Sequence, residues 1–257
     1  MTALAQSARM TQRHLRGLAR QPWLIGISLV QPVIWLLLFG ALFRRVVEIP
    51  GFGAGNYLTF LTPGIVVLSA IFGGGWSGMS IVTDIDQGVM DRFLVTPLRR
   101  GALMAGLLGY QAVTIVVQTL IIVAIGLASG ARFSHASIGL PVLVVGAILL
   151  AVGFAALSNA LALLLRKEES VIAAVQFVAL PLTFLSSGLM SQSLAAHWVS
   201  DVARVNPVNW AVVAAREALS AGPDWGSVVS HLGYLVVFAL VCGWLSTRAF
   251  GSYQRSA

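Results

Sequence analysis

The sequence predicts an all-α polytopic membrane protein with six transmembrane helices, and three observations carry that prediction. Hydrophobic residues make up 58% of the chain and charged residues only 10%, where soluble domains carry about 25% charged. Six apolar runs, at about 22–43, 57–82, 102–127, 138–165, 171–190 and 227–247, reach the roughly 20 residues that a hydrocarbon core about 30 Å thick demands. Such runs exceed barrel strands, and in lipid a helix satisfies each backbone amide within its own segment. The third observation is the placing of charge. With the N-terminus inside, eleven of the 16 Lys and Arg residues fall on inner segments and five on outer ones, the bias that sets orientation. A multi-pass protein of the cytoplasmic membrane with both termini in the cytoplasm is therefore expected. The net charge of +7 follows from basic loops, not from a nucleic-acid surface, and residues 1–257 read as a single membrane domain.

Residues 2–20 open the chain as an amphipathic surface helix. Leu4, Ala8, Thr11, Leu15 and Leu18 form one stripe at helical spacing, with Arg9, Arg13, Arg16 and Arg20 on the nearly opposite face. Such a helix lies in the headgroup layer, arginines toward lipid phosphate and water. The first 20 residues contain no apolar h-region, so no cleavable signal peptide is expected and the first span itself serves for insertion. That span holds Gln31-Pro32. The proline removes a backbone bond and kinks the helix, and Gln31 is expected to hydrogen-bond a neighbouring helix. After a flexible outer loop with Gly51, Gly53 and Gly55, the second span carries two stripes of small residues. Ala70, Gly74 and Gly78 recur every four positions, as do Ser69, Gly73 and Ser77. Small residues so spaced let backbones approach closely, or leave a gap beside a transport path.

A charged inner stretch, Asp84 to Arg100, follows. Asp86 is placed to cap a helix start and Pro97 to end it. Val89, Met90, Phe93 and Leu94 share one face, with Gln87, Asp91 and Arg92 turned elsewhere. Two readings fit: this face enters a partner's groove, or it lies on the membrane. In the third span Gln111, Thr114 and Gln118 share a face and read as bonding between helices ahead of touching cargo. Arg166-Lys167-Glu168-Glu169 make a tight inner turn, and the fifth span contains Pro181 and closes with Ser186-Ser187-Gly188. The outer segment 191–226 carries two short helices, near 194–205 and 208–219, split by Asn206-Pro207. Trp198, Trp210 and Trp225 suit the headgroup level. Arg216-Glu217 reads as a local ion pair. Cys242 stands alone, so no intrachain disulfide and no cysteine metal cluster is expected.

These motifs carry a resemblance. Gln87-Gly88, Phe93-Leu94 and Thr96-Pro97, within DIDQGVMDRFLVTPLRR, resemble the acidic-Gly-Thr…Leu-Leu-x-Thr-Pro pattern of ABC-2 type permeases. These are membrane subunits of ATP-driven exporters, daunorubicin-type drug exporters among them. The surface helix followed by Gln21-Pro22, the Thr62-Pro63-Gly64 turn, Ser187-Gly188, His197-Trp198 and Asn206-Pro207-Val208-Asn209-Trp210 agree in order, so the resemblance covers essentially the whole chain. It implies a six-helix, ABC-2 or ABCG-like permease that pairs with a second permease copy and sits on two ATPase subunits, which bind the ATP and Mg. It makes 84–98 the coupling helix, with Asp86, Gln87, Gly88, Met90, Arg92, Phe93, Leu94, Thr96 and Pro97 as coupling residues. Arg166, Lys167, Glu168 and Glu169 form the other inner loop, and 191–226 becomes a re-entrant segment near the outer exit. Gln87 and Val89 depart from the family's acidic residue and threonine; Asp84 or Asp86 is the replacement charge at hand.

The sequence contains no G-x-x-x-x-G-K-[ST] loop, so ATP hydrolysis by that route falls to a separate subunit. The chain is expected to be a transport subunit rather than an enzyme, and to bind no cofactor itself. The expected activity is export of a hydrophobic or amphipathic small molecule (drug, antibiotic or lipid-like) by alternating access. Trp35, Phe39, Trp76, Phe177 and Phe184, with Gln111 and Gln118, are the candidate pathway residues, and each aromatic also reads as lipid-facing or core packing. A permease exporting a lipid-linked polysaccharide is the alternative within the same class. A rhomboid-like intramembrane serine protease is a different class, suggested by Gly75-Trp76-Ser77-Gly78 and His231. Depth argues against it: Ser77 lies near the inner end of its span and His231 near the outer end of its own, about 15 Å apart along the membrane normal. No acidic residue sits mid-span, which argues against proton-coupled antiport.

Overall fold

The computed structural model describes residues 3–21, 23–48, 56–88, 100–190 and 196–256. Among them the regular elements are helices, with no strand: α1 (Ala3–Arg20), α2 (Trp23–Leu42), α3 (Tyr57–Gly75), α4 (Gly78–Asp86), α5 (Arg100–Ala128), α6 (Ala136–Leu165), α7 (Glu168–Phe184), α8 (His197–Arg204), α9 (Pro207–Leu219) and α10 (Trp225–Ser256). Among the described residues five segments, Ile25–Leu42, Tyr57–Asp86, Met104–Ala128, Ala136–Leu165 and Trp225–Gly251, are long and apolar enough to cross a membrane. This is a multi-pass membrane protein. Its outer faces are apolar: Ile27 and Leu38 of α2, Phe177 of α7, and Leu240 and Trp244 of α10 are all exposed, as suits a surface solvated by lipid.

The fifth predicted span is shorter than expected. Its helix, α7, has 17 residues, about 26 Å at 1.5 Å per residue, and stops at Phe184 instead of 190. The cause lies outside the segment. Asn206 Nδ2 donates to the carbonyls of Leu182 at 2.7 Å and Leu185 at 3.0 Å. Ser187 gives both its N–H and its hydroxyl to Asn209 Oδ1, at 3.0 and 2.7 Å. Side chains from the start of α9 thus satisfy groups that a longer helix would pair along its own axis.

At the centre stands α6, packed against α3, α4, α5, α7, α9 and α10. Its small residues admit them. Gly153 leaves room for the Phe238 ring of α10, and Gly139 for Ala218 and Leu219 of α9. On the side facing α3, a Cβ added to Gly74 would strike the Ala151 carbonyl, and one on Gly78 would meet Ser158. The Ala70–Gly74–Gly78 stripe therefore brings two helix backbones together, as small residues at this spacing do. The helix continues through Thr62-Pro63-Gly64, predicted as a turn; the Thr62 hydroxyl donates to the Leu58 carbonyl at 2.7 Å, and Gly64 lets α3 abut the Gly188 backbone. It breaks instead at Trp76-Ser77. Ser158 holds both sides of that break: its hydroxyl donates to the Gly75 carbonyl and accepts from the Gly78 N–H at 3.1 Å.

The predicted surface helix is present as α1, but it also packs across the first half of α5. Thr11 Oγ1 donates to the Gly106 carbonyl at 2.9 Å, and the His14 and Tyr110 rings are 5.6 Å apart. A Cβ at Gly106 would meet Met10, and one at Gly109 would meet Thr11. The face used lies roughly 70° round the helix from the leucine stripe, at 100° per residue, because the α5 glycines admit Met10 and Thr11. Arg9, Arg13, Arg16 and Arg20 remain on the exposed side.

Candidate functional site

A cleft opens between α2, α3 and α5, enclosing about 500 Å³ when its open mouth is counted. Ser28, Gln31, Pro32 and Trp35 form one wall. Ile65, Leu68, Ser69, Phe72 and Gly73 form the second, with Trp76 at the helix break, and Gln118 of α5 closes the third. The cleft exists because the second small-residue stripe faces it: Ser69 and Gly73 contribute little bulk where Gly74, one residue on, is pressed against α6. No acidic, basic or histidine side chain is among its lining residues.

Gln118 is 5% exposed, and its Nε2 donates to Ser28 Oγ at 2.8 Å. The Ser28 hydroxyl is itself given to the Ile25 carbonyl at 2.8 Å, so Ser28 offers only a lone pair. The amide nitrogen, not the oxygen, must face it. That leaves Gln118 Oε1 buried and without a hydrogen-bond partner among the described residues. A Cβ on Gly73 would lie 3.3 Å from Gln111 Nε2 and 3.7 Å from Gln118 Oε1, so the missing side chain of Gly73 is the space beside both amides.

Of the predicted pathway residues, the fold gathers Trp35, Trp76 and Gln118 in this cleft and sets Gln111 at its flank. Phe39 packs against Trp35 with the rings tilted by 45° and their centres 5.6 Å apart. Phe177 and Phe184, 82% and 66% exposed on α7, do not line it. Gln31 lines the mouth, and the bond between helices expected of it is made by Gln118 instead. Thr114 turns back to the Tyr110 carbonyl of its own helix at 3.0 Å. Ser28 was not foreseen; lying three residues before Gln31, on the same helix face, it was within reach of the pattern.

Where α3, α7 and α9 join, the separated sequence motifs meet. Gly64 abuts Gly188, Asn209 binds Ser187, and Trp210 Nε1 donates to the Arg204 carbonyl at 2.7 Å. Arg216 is not paired with Glu217 as predicted. Its guanidinium donates to the carbonyls of Phe60, Ser187 and Gly188, at 3.0, 2.6 and 2.9 Å. Adjacent residues on a helix point in different directions, and Arg216 reaches inward.

At the far end of α4, Asp86 closes a helix rather than starting one. Gly88 has φ +66°, Gln87 N–H donates to the Thr83 carbonyl and Gly88 N–H to the Ile85 carbonyl, both at 3.0 Å, the geometry of a glycine-terminated helix. Asp86 and Gln87 are exposed and Asp84 half-buried. Met90, Arg92, Phe93, Leu94, Thr96 and Pro97 lie outside the described residues. Arg166 and Lys167 form a two-residue link, Arg166 with φ 54°, and Glu168 and Glu169 begin α7. Thr83 Oγ1 shares its one proton between the Met79 carbonyl of its own helix at 3.0 Å and Glu168 Oε1 at 3.2 Å, the second contact tying this link to the end of α4. On α1, burial and the charge of Arg13 lower the His14 pKa, opposed by Asp84, and His14 Nε2 has no partner among the described residues. The protease arrangement is not supported locally: His231 Nδ1 lies 2.7 Å from the Ser227 carbonyl of its own helix.

The model of the ABC-2 type transporter family matches residues 5–220. Over 251 residues the chain is 30% identical to the daunorubicin resistance ABC transporter permease protein DrrB1 of Streptomyces coeruleorubidus, covering 92% of this chain and 85% of that one. It is 30% identical over 204 residues to the transport permease ycf38 of Cyanophora paradoxa, covering 79% and 70% respectively. Identity is 22% over 239 residues to the doxorubicin resistance ABC transporter permease protein DrrC of Mycobacterium tuberculosis, covering 93% and 86%. With the family model spanning most of its length and several helices able to cross a membrane, the chain belongs to the ABC-2 type transporter family of membrane permeases.

Proposed function

We propose that this chain is the export permease of an ATP-driven transporter, moving a hydrophobic or amphipathic small molecule out across the cytoplasmic membrane by alternating access. The observation that carries the reading is the cleft between α2, α3 and α5: aromatic and amide-lined, without a charged group, and set in a chain similar to drug-resistance permeases. In this reading the permease forms a dimer, with a like or different copy, both termini are cytoplasmic, and the arginine face of α1 meets anionic lipid. ATP and Mg reside on a separate nucleotide-binding subunit, which grips the 84–98 segment through Met90, Phe93 and Leu94. The 191–226 segment dips back into the outer leaflet.

The path from motor to cargo runs through α4. Thr83 links α4 to the α6–α7 turn through Glu168, and α4 begins at the break where Trp76 borders the cleft. A push on the coupling segment would tilt α4 about that break and move the Trp76 wall. Replacing Phe93 by Asp tests the idea by placing a charge in the docked apolar face. The expected result is normal membrane insertion with loss of ATPase capture and of ATP-dependent transport. A Phe93→Asp protein that still captures and stimulates the ATPase subunit normally overturns the coupling assignment.

A further inference from the structure

We infer that the α2–α3–α5 cleft is a binding subsite within one protomer for an uncharged aromatic molecule carrying an O–H or N–H donor, which it gives to Gln118 Oε1. The inference rests on the transport reading above and names the chemistry that the path selects. Three observations point the same way. The amide nitrogen of Gln118 is committed to Ser28, so the unpartnered oxygen can only accept. A buried acceptor without a donor is a cost that a bound donor removes. Gly73 places no side chain between that oxygen and the α3 wall: a Cβ there would lie 3.7 Å from Gln118 Oε1 and 3.3 Å from Gln111 Nε2. Finally, Trp35, Phe72 and Trp76 give the walls flat apolar surface suited to ring stacking, and the absence of a charged lining group makes an ionised ligand expensive to bring in from water.

The subsite would discriminate by hydrogen bonding rather than by size, since a site built to pair a polar group rejects the analogue that lacks it. The test uses the full chain in lipid nanodiscs, with binding of 2-naphthol and of naphthalene read by quenching of tryptophan fluorescence. Comparing each variant with the wild type for the same probe cancels the probe's own partition into lipid. In Gln118→Met, affinity for 2-naphthol should fall about 2- to 10-fold, the worth of one neutral hydrogen bond, while that for naphthalene changes by less than about 2-fold. Gln118→Met removes an unsatisfied buried oxygen, so the fold is expected to survive it. Gly73→Ala, which fills the space beside the oxygen but keeps the amide, should reproduce the selective loss. A positively charged trimethylnaphthylammonium probe should not compete. If both probes weaken equally in both variants, or neither weakens, the donor-specific subsite is wrong. Because no ATPase subunit is present, that failure is separate from any failure of the coupling test on Phe93.

Discussion

The Arg216 guanidinium lies 3.5 Å from the centre of the Phe60 ring and donates to the Phe60 carbonyl through both Nε, at 3.2 Å, and Nη2, at 3.0 Å. The same side chain reaches the Ser187 and Gly188 carbonyls, so one residue of α9 fastens the start of α3 to the chain leaving α7. Hydrogen bonds to a charged donor contribute about 1.5–3 kcal/mol each. Arg216→Met should therefore cost about 3 kcal/mol, seen as a fall of several degrees in thermal midpoint and as faster amide exchange over 186–190. Arg216→Lys should recover little of it, because an ammonium cannot serve three carbonyls in a fork or stack flat on the ring. A lysine variant as stable as the wild type would refute this account of the α3–α7–α9 junction.

Why this junction escaped the sequence is instructive. Apolar run lengths mark the five segments able to cross a membrane and overreach in the run where α7 stops at Phe184, while the four-residue spacing of Ala70, Gly74 and Gly78 announces close packing that the fold delivers against Ala151 and Ser158. What local pattern could not supply was the partner of a polar group. Arg216 finds Phe60 156 positions away, and α7 ends early because Asn206 and Asn209 reach it from beyond a separate helix. Two misreadings had signals available. Arg216 and Glu217 are neighbours in sequence and so point apart on a helix. Gly88 follows Asp86 by two residues, which marks a helix end as readily as Asp86 marks a start. The cleft is half legible: Trp35, Trp76 and Gln118 stand out by their chemistry, but only tertiary structure brings them together and leaves Phe177 and Phe184 on another surface.

The two small-residue stripes of α3 make opposite predictions for consecutive glycines. An alanine at Gly74 pushes its Cβ into the Ala151 carbonyl, a backbone atom that can move only by parting α3 from α6. Overpacking of this kind costs about 1–3 kcal/mol, so Gly74→Ala should lower the thermal midpoint or the yield of folded protein. At Gly73 the nearest atom to a new Cβ is the end of the flexible Gln111 side chain, at 3.3 Å. There the gain in helix propensity, up to about 1 kcal/mol, should leave the midpoint no lower than that of the wild type. Thermal melts of the two single variants, side by side, check the assignment of the stripes to packing and cleft.

His14 gives α1 a pH dependence with a definite sign. Its pKa is lowered chiefly by burial, and also by Arg13, so the folded state favours the neutral ring more than the unfolded chain does. Stability from this group is fully present above the unfolded value of about 6.5 and declines as pH falls toward the lower folded value, because the unfolded state then binds the extra proton. Acidifying from pH 7.5 to 5.5 should lower the wild-type melting temperature and loosen α1 from Tyr110. His14→Phe, which keeps a ring against Tyr110 but cannot be protonated, should show a smaller fall over the same range. Equal slopes for the two proteins would remove His14 from the explanation.

The Ser158 side chain bonds to both sides of the break in the second span. Its hydroxyl serves the Gly75 carbonyl and the Gly78 N–H, groups that lose their regular helical partners where the chain turns at Trp76-Ser77. Ser158→Ala removes one oxygen and little volume, so its effect reports hydrogen bonding rather than a cavity. Leaving a buried donor and acceptor unpaired costs about 1–3 kcal/mol, which melting of the purified variant would register. A second consequence separates a mechanical role from a purely structural one. If α4 swings about this break to move the Trp76 wall, loosening it should lower cargo stimulation of the ATPase subunit more than it lowers unstimulated ATPase turnover. Ser158→Thr keeps the hydroxyl and should restore stimulation wherever its extra methyl is accommodated. A Ser158→Ala protein that is less stable yet fully stimulated would leave the break as a packing detail, with no part in carrying motion to the cleft.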